Sequence, residues 1–98
     1  MRIEAEMRLE GKIFTGDHVA KIAVKPIQIR ENVPFTKSLD VALVELCHEL
    51  NLPNLMWLSK NTREFAKFRQ TIFFPEQFSE TTDFTQFQIK LIEDVRTE

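Results

Sequence analysis

The sequence predicts one α+β domain over residues 1–98, and three patterns predict it. Residues 2–10 alternate between apolar and charged side chains. Leu39, Leu43, Leu46 and Leu50 recur at helical spacing, and Phe87, Ile89 and Leu91 alternate with Gln88 and Lys90. A period of two marks a strand with one dry and one wet face, and a spacing of three to four marks the apolar stripe of a helix.

In the first strand Ile3, Ala5, Met7 and Leu9 share one face. Arg2, Glu4, Glu6, Arg8 and Glu10 share the other, and Ile13 and Phe14 extend the strand. Gly11 and the group Thr15-Gly16-Asp17 supply turn chemistry. In the second strand Ala20, Ile22 and Val24 have one parity and Ile27 and Ile29 the other. That switch predicts a bulge or break at Lys25-Pro26, with Pro26 at a sheet edge. Lys21 and Lys25 then face outward, where they could pair with Glu4 or Glu6.

Residues 31–35 lead into a helix over about 37–51. Thr36 or Ser38 is the expected N-cap, Asp40 opposes the dipole in the first turn, Asn51 closes the helix and Pro53 cannot continue it. The apolar connection 52–60 reaches a short second helix, with Asn61 as N-cap and Glu64 at N3, that runs through Phe68. A strand at 71–74, a helical turn at Pro75–Phe78 and a last strand at about 86–94 follow.

Composition narrows the functional classes. An apolar share of 43% with 29% charged residues suits a globular chain and argues against disorder. Nine Phe, one Trp and no Tyr point to rings used as core, since Phe has no polar handle for an interface. A net charge of −2 gives no global attraction to nucleic acid or anionic membrane. A single cysteine, Cys47, excludes an intramolecular disulfide and fits a reducing compartment. There is no apolar signal segment and no run near the roughly 20 residues of a membrane span, so a cytoplasmic location is expected.

The sequence presents no catalytic constellation, metal site or cofactor motif. Cys47 and His48 suggest a nucleophile and its base, but adjacent helical residues point about 100° apart, and Cys47 falls on the apolar side, which favours an inert core thiol. His18 and His48, the only histidines, match no ligand spacing. Glu4 and Glu6 stand roughly 7 Å apart on one strand face, within reach of acid–base pairing, yet any alternating strand with a charged outer face gives that spacing.

The local anomaly is residues 57–70, WLSKNTREFAKFRQ. Lys60, Arg63, Lys67 and Arg69 stand against Glu64 alone, a net of +3 in a chain of −2. Interleaved with Trp57, Phe65 and Phe68, these cations could clamp phosphates while a base stacks. The competing reading is an amphipathic helix with Phe65 and Phe68 inward and solvated cations. Phe73, Phe74, Phe78, Phe84 and Phe87 crowd the C-terminal third, and the loop around Phe78 and Phe84 is expected to fold over the core as a lid rather than leave an apolar patch.

The order β-β-α-(short α)-β-β resembles the β-grasp layout, which implies a mixed sheet packed against one main helix with a short second helix. Ubiquitin-like modifiers of that layout end in Gly-Gly, whereas this sequence ends Arg96-Thr97-Glu98, and its ferredoxins need four cysteines where this chain has one. Its RNA-binding members need a basic surface, which only residues 60–69 could supply. WLSKNTREFAKFRQT, FPEQF and FQIKLIED are similar to segments of short uncharacterised bacterial proteins, a resemblance that implies no activity.

The function expected is therefore a non-catalytic protein-interaction or adaptor module. It would bind an unknown protein partner or a second copy through a sheet edge or the Phe-rich region. The alternative is a nucleic-acid-binding accessory protein that uses Trp57, Lys60, Arg63, Lys67 and Arg69. A small enzyme is the least supported reading.

Overall fold

The structure is a computed structural model that describes the backbone of residues 3–97 and the side chains of residues 7–93. The alternating N-terminal segment forms β1 (Ile3–Thr15), which turns at Gly16-Asp17 into β2 (His18–Pro26). Gly16 takes a φ of 64°, a conformation that costs glycine nothing. Then come α1 (Phe35–Glu49), α2 (Ser59–Phe68), β3 (Gln70–Phe73), a 3-10 turn (Pro75–Gln77) and β4 (Gln86–Thr97).

The strands lie in the order β2-β1-β4-β3, and every neighbouring pair is antiparallel. The α+β class holds, but the mixed sheet of the β-grasp layout does not, because that strand order would need β4 parallel to β1. The helices explain the difference. β2 ends at Pro26, opposite Arg8, while β3 starts at Gln70, opposite Lys90 and through it Glu10, so the two lie at nearly the same level of the sheet, beside the middle of β1. Two successive helices bring the chain back to the level it left. One helix would have delivered it to the other end and reversed both later strands.

Both helices cover the same sheet face. Ala42, Leu43 and Leu46 of α1, its C-cap Leu50 and Phe65 of α2 share one core with Leu9, Ile13, Ala23, Phe73, Phe87 and Ile89 of the sheet. Burial at this scale contributes roughly 1.5–3 kcal/mol for each large apolar side chain. Phe78 and Phe84 close over the end of that core, edge to face at 5.2 Å, and Phe78 reaches the Phe87 ring at 6.4 Å. The expected Phe lid is present.

Several local expectations change. Gly11 is not a turn residue: it sits buried in mid-β1, where an added Cβ would lie 3.0 Å from the Phe87 ring. The inward parity of β2 is that of Ala23, Lys25 and Ile27, while Ile22 and Val24 lie exposed on the open sheet face. β2 is an edge strand, so its aliphatic residues need not mark the core side. The bulge falls at Ala20, where pairing jumps from Ile13↔Lys21 to Phe14↔Val19, and the ladder continues past Pro26 through Ile27 N–H to Met7 C=O. Lys25 faces the helices and meets Glu49 at 2.6 Å. The side chains of Glu4 and Glu6 lie outside the described residues.

Pro34 takes the N-cap of α1 with no side-chain cap, so Thr36 and Ser38 lie inside the helix and Asp40 falls beyond the first turn. Asn51 does close α1. It adopts a φ of 55°, its N–H bonds His48 C=O and the Leu52 N–H bonds Cys47 C=O, the paired bonds of a Schellman motif. Helix α2 begins with Leu58 as N-cap, and Asn61 stands at N3 instead of at the cap.

Candidate binding groove between the helices

α1 packs over β1 and β2, and α2 packs over β3, so the helices stand apart above the sheet. The gap is an open groove of about 720 Å³, within the roughly 300–1,000 Å³ range of ligand pockets. Leu39, Leu43, Val44 and Cys47 form one wall. Thr62, Ala66 and Arg69 form the other, and Leu52, Leu55, Trp57 and Phe65 lie between them. The lining is apolar apart from a few groups, among them Asp40, His48 and Arg69.

A buried polar network holds the α2 wall in place. The Asn61 side chain is fully buried and makes four hydrogen bonds. Its Oδ1 accepts from the Leu58 N–H at 2.9 Å and from Gln77 Nε2 at 3.0 Å. Its Nδ2 donates to Thr71 Oγ1 at 2.8 Å and to Ile72 C=O at 3.2 Å. Gln77 accepts from the Phe74 N–H and donates to Met56 C=O, while Thr71 donates to Glu64. One amide thus caps α2, ties it to β3 and fastens the 3-10 turn. An amide with all four positions used has its desolvation offset by those bonds.

The residues singled out in 57–70 separate in space. Trp57 is half-buried: its ring meets Phe65 at 6.1 Å and Phe73 at 5.5 Å, and its Nε1 donates to Thr62 Oγ1 at 2.8 Å. Lys60, Arg63 and Lys67 follow i, i+3, i+7 on the outer side of α2, opposite buried Asn61 and Phe65. Lys60 Nζ sits over the Phe74 ring at 4.5 Å, and Lys67 Nζ over Phe68 at 5.3 Å. Arg69 follows α2 in the left-handed region, φ 60°, and lines the groove. None of the four cations has an ion pair among the described residues. Phe65 is core, but Phe68, expected beside it, is 59% exposed.

Trp57 and Arg69 therefore belong to the groove, and Lys60, Arg63 and Lys67 to a separate basic stripe. The sequence marks the α1 wall only through Val44, an aliphatic outside the Leu39/Leu43/Leu46/Leu50 stripe.

Cys47 lines the groove half-buried, and burial pushes its thiol up to about 11, while His48 is exposed. His18 lies at the hairpin tip, 3.5 Å from Asp17. Among the described residues no three His, Cys, Asp or Glu side chains converge as a metal site would require, and no helix is long and apolar enough to cross a membrane. No protein-family profile, curated protein or solved structure matches this chain.

Proposed function

We propose that this protein is a non-catalytic protein-interaction module that receives its partner in the groove between α1 and α2. The observation that carries this reading is the groove itself, a preformed apolar trough with two helical walls that no described residue fills. A helix-in-groove contact buries one apolar stripe of the incoming helix. The sheet edges suit recruitment less well. β3 offers only four residues, and β2 carries a bulge, Lys21 and Pro26, devices that discourage strand addition. The Phe-rich segment supplies core: Phe73, Phe78, Phe84 and Phe87 are all buried.

Ala66 is exposed on the α2 wall, so Ala66→Trp fills the trough without touching the core. Immobilised wild-type chain should retain a protein, another chain or a second copy, that the Ala66→Trp chain does not. Equal retention by both, or none by either, would count against the groove.

A second reading rests on the basic stripe of Lys60, Arg63 and Lys67, without an ion pair among the described residues, which could follow a phosphate backbone. It predicts retardation of RNA or DNA at low salt that weakens steeply with added salt and in a Lys60→Ala/Arg63→Ala chain. No retardation at low salt would eliminate it.

A further inference from the structure

We infer that the outer side of α2, apart from the groove, is a docking surface for an anionic lipid bilayer. Cations and exposed apolar side chains share that side. Lys60, Arg63 and Lys67 form the basic stripe, without an ion pair among the described residues. Met56 is 61% exposed, Leu58 36% and Phe68 59%, and none of the three lines the groove. Leu55 forms a β-bridge with Phe78 and Leu58 is extended, so side chains alternate along the entry to α2. Leu55 and Trp57 take the groove side, and Met56 and Leu58 take the other. Contacts join these groups into one surface. Met56 N–H bonds Gln77 C=O and Met56 C=O accepts from Gln77 Nε2, while Gln77 Oε1 accepts from the Phe74 N–H. The Phe74 ring lies under Lys60 Nζ at 4.5 Å, Arg63 and Lys67 follow Lys60 along the helix, and Lys67 Nζ lies over Phe68 at 5.3 Å.

Attachment to a bilayer surface grows with the apolar area inserted and with attraction to anionic headgroups, and this side of α2 supplies both. The net charge of −2 does not oppose it. Lys60 to Lys67 spans about 10 Å of helix, near one Debye length, so a surface in contact meets the local charge. The three cations outnumber the two carboxylates beside them. Glu64 is half-buried and accepts the Thr71 hydroxyl, and Glu76 sits in the 3-10 turn that follows Phe74. A nucleic acid would use the same cations, but the apolar groups favour lipid. Base stacking needs open ring faces, whereas Phe68 and Phe74 each carry an ammonium over the ring, Trp57 lies in the groove and Phe65 in the core. Met56 and Leu58 offer a base no ring to stack on and gain from burial in a bilayer.

Co-sedimentation of the full chain with lipid vesicles tests this. The chain should pellet with vesicles of phosphatidylserine and phosphatidylcholine in equal parts, stay in solution with phosphatidylcholine alone, and be released by added salt. Arg63→Ala/Lys67→Ala should weaken binding about thirtyfold, at about fivefold for each basic residue near an anionic surface. Met56→Ser/Phe68→Ser should weaken it by at least about tenfold. Circular dichroism spectra of both chains should match the wild type, because all four side chains are exposed. No pelleting with the anionic vesicles, equal pelleting with phosphatidylcholine alone, or indifference to either double variant overturns the docking surface. Retardation of RNA or DNA by a chain that ignores the vesicles, weakened in Arg63→Ala/Lys67→Ala and intact in Met56→Ser/Phe68→Ser, also overturns it and makes a phosphate polymer the partner. The groove is tested separately, since Lys60, Arg63 and Lys67 do not line it.

Discussion

At the scale of single residues, Asn61 ties α2, β3 and the 3-10 turn together through four side-chain hydrogen bonds. Replacing it with Ala strands the Leu58 N–H and the Ile72 C=O and removes one bond each from Thr71 and Gln77. Buried groups left unpaired cost about 1–3 kcal/mol each, so Asn61→Ala should lower the unfolding free energy by about 2–4 kcal/mol in a urea titration. Thr62→Ala, which removes only the Trp57 Nε1 partner at an exposed position, should cost less than about 1 kcal/mol. Cys47 gives a pH signature. Burial holds its thiol protonated up to about pH 11, against an ordinary 9.0. The thiolate is the reactive species, so alkylation at pH 8 should run about a hundredfold slower than for a free thiol and rise as pH climbs toward 11. The linkage has a definite sign. Between pH 9 and 11 the unfolded thiol ionises while the folded one stays neutral, so stability falls as pH rises through that window.

At the scale of elements, legibility followed the distance over which each residue's role is decided. The Leu39, Leu43, Leu46 and Leu50 stripe and the Phe87, Ile89, Leu91 alternation report a local period against one large core, and α1, β1 and β4 were readable from such patterns. Asn51 was readable because a helix stop is local chemistry. The inward face of β2 was not, since an edge strand can carry Ile22 and Val24 on its open side without penalty. Asn61 looked like an N-cap because its four partners, from Leu58 to Gln77, are brought together only by the tertiary fold. Gly11 looked like a turn for the same reason: the residue that requires its bare Cα is Phe87, on the far side of the sequence. Gly11→Val should therefore act as overpacking, lowering stability by about 1–3 kcal/mol in thermal or urea unfolding. Gly16→Val should be destabilising through backbone strain alone, since nothing lies within 4 Å of an added Cβ there. Of the candidate site, the basic residues were legible as a cluster, but their separation into Arg69 at the groove and Lys60, Arg63 and Lys67 outside it depends on which side of α2 Asn61 buries.

At the scale of the whole molecule, the central pair of the sheet is β1 with β4, the first strand and the last. Ile13 pairs with Phe87 and Gly11 with Ile89, contacts that span most of the chain. Such topologies fold slowly for their size, because the loop must be closed before the contacts that reward closure exist. Refolding from urea should fall in the slow, millisecond-to-second part of the two-state range despite two helices, as stopped-flow Trp57 fluorescence would record. The consequence reaches the ribosome. β3 has no sheet neighbour except β4, so until residues 86–97 emerge the nascent chain can form only the β1–β2 hairpin with α1 over it, and α2 has no sheet to pack on. Phe65, Phe73 and Phe78, which later fill the core, lack their Phe87 neighbour for that whole interval, and the emergence of residues 86–97 decides whether this domain folds or becomes a client for a chaperone.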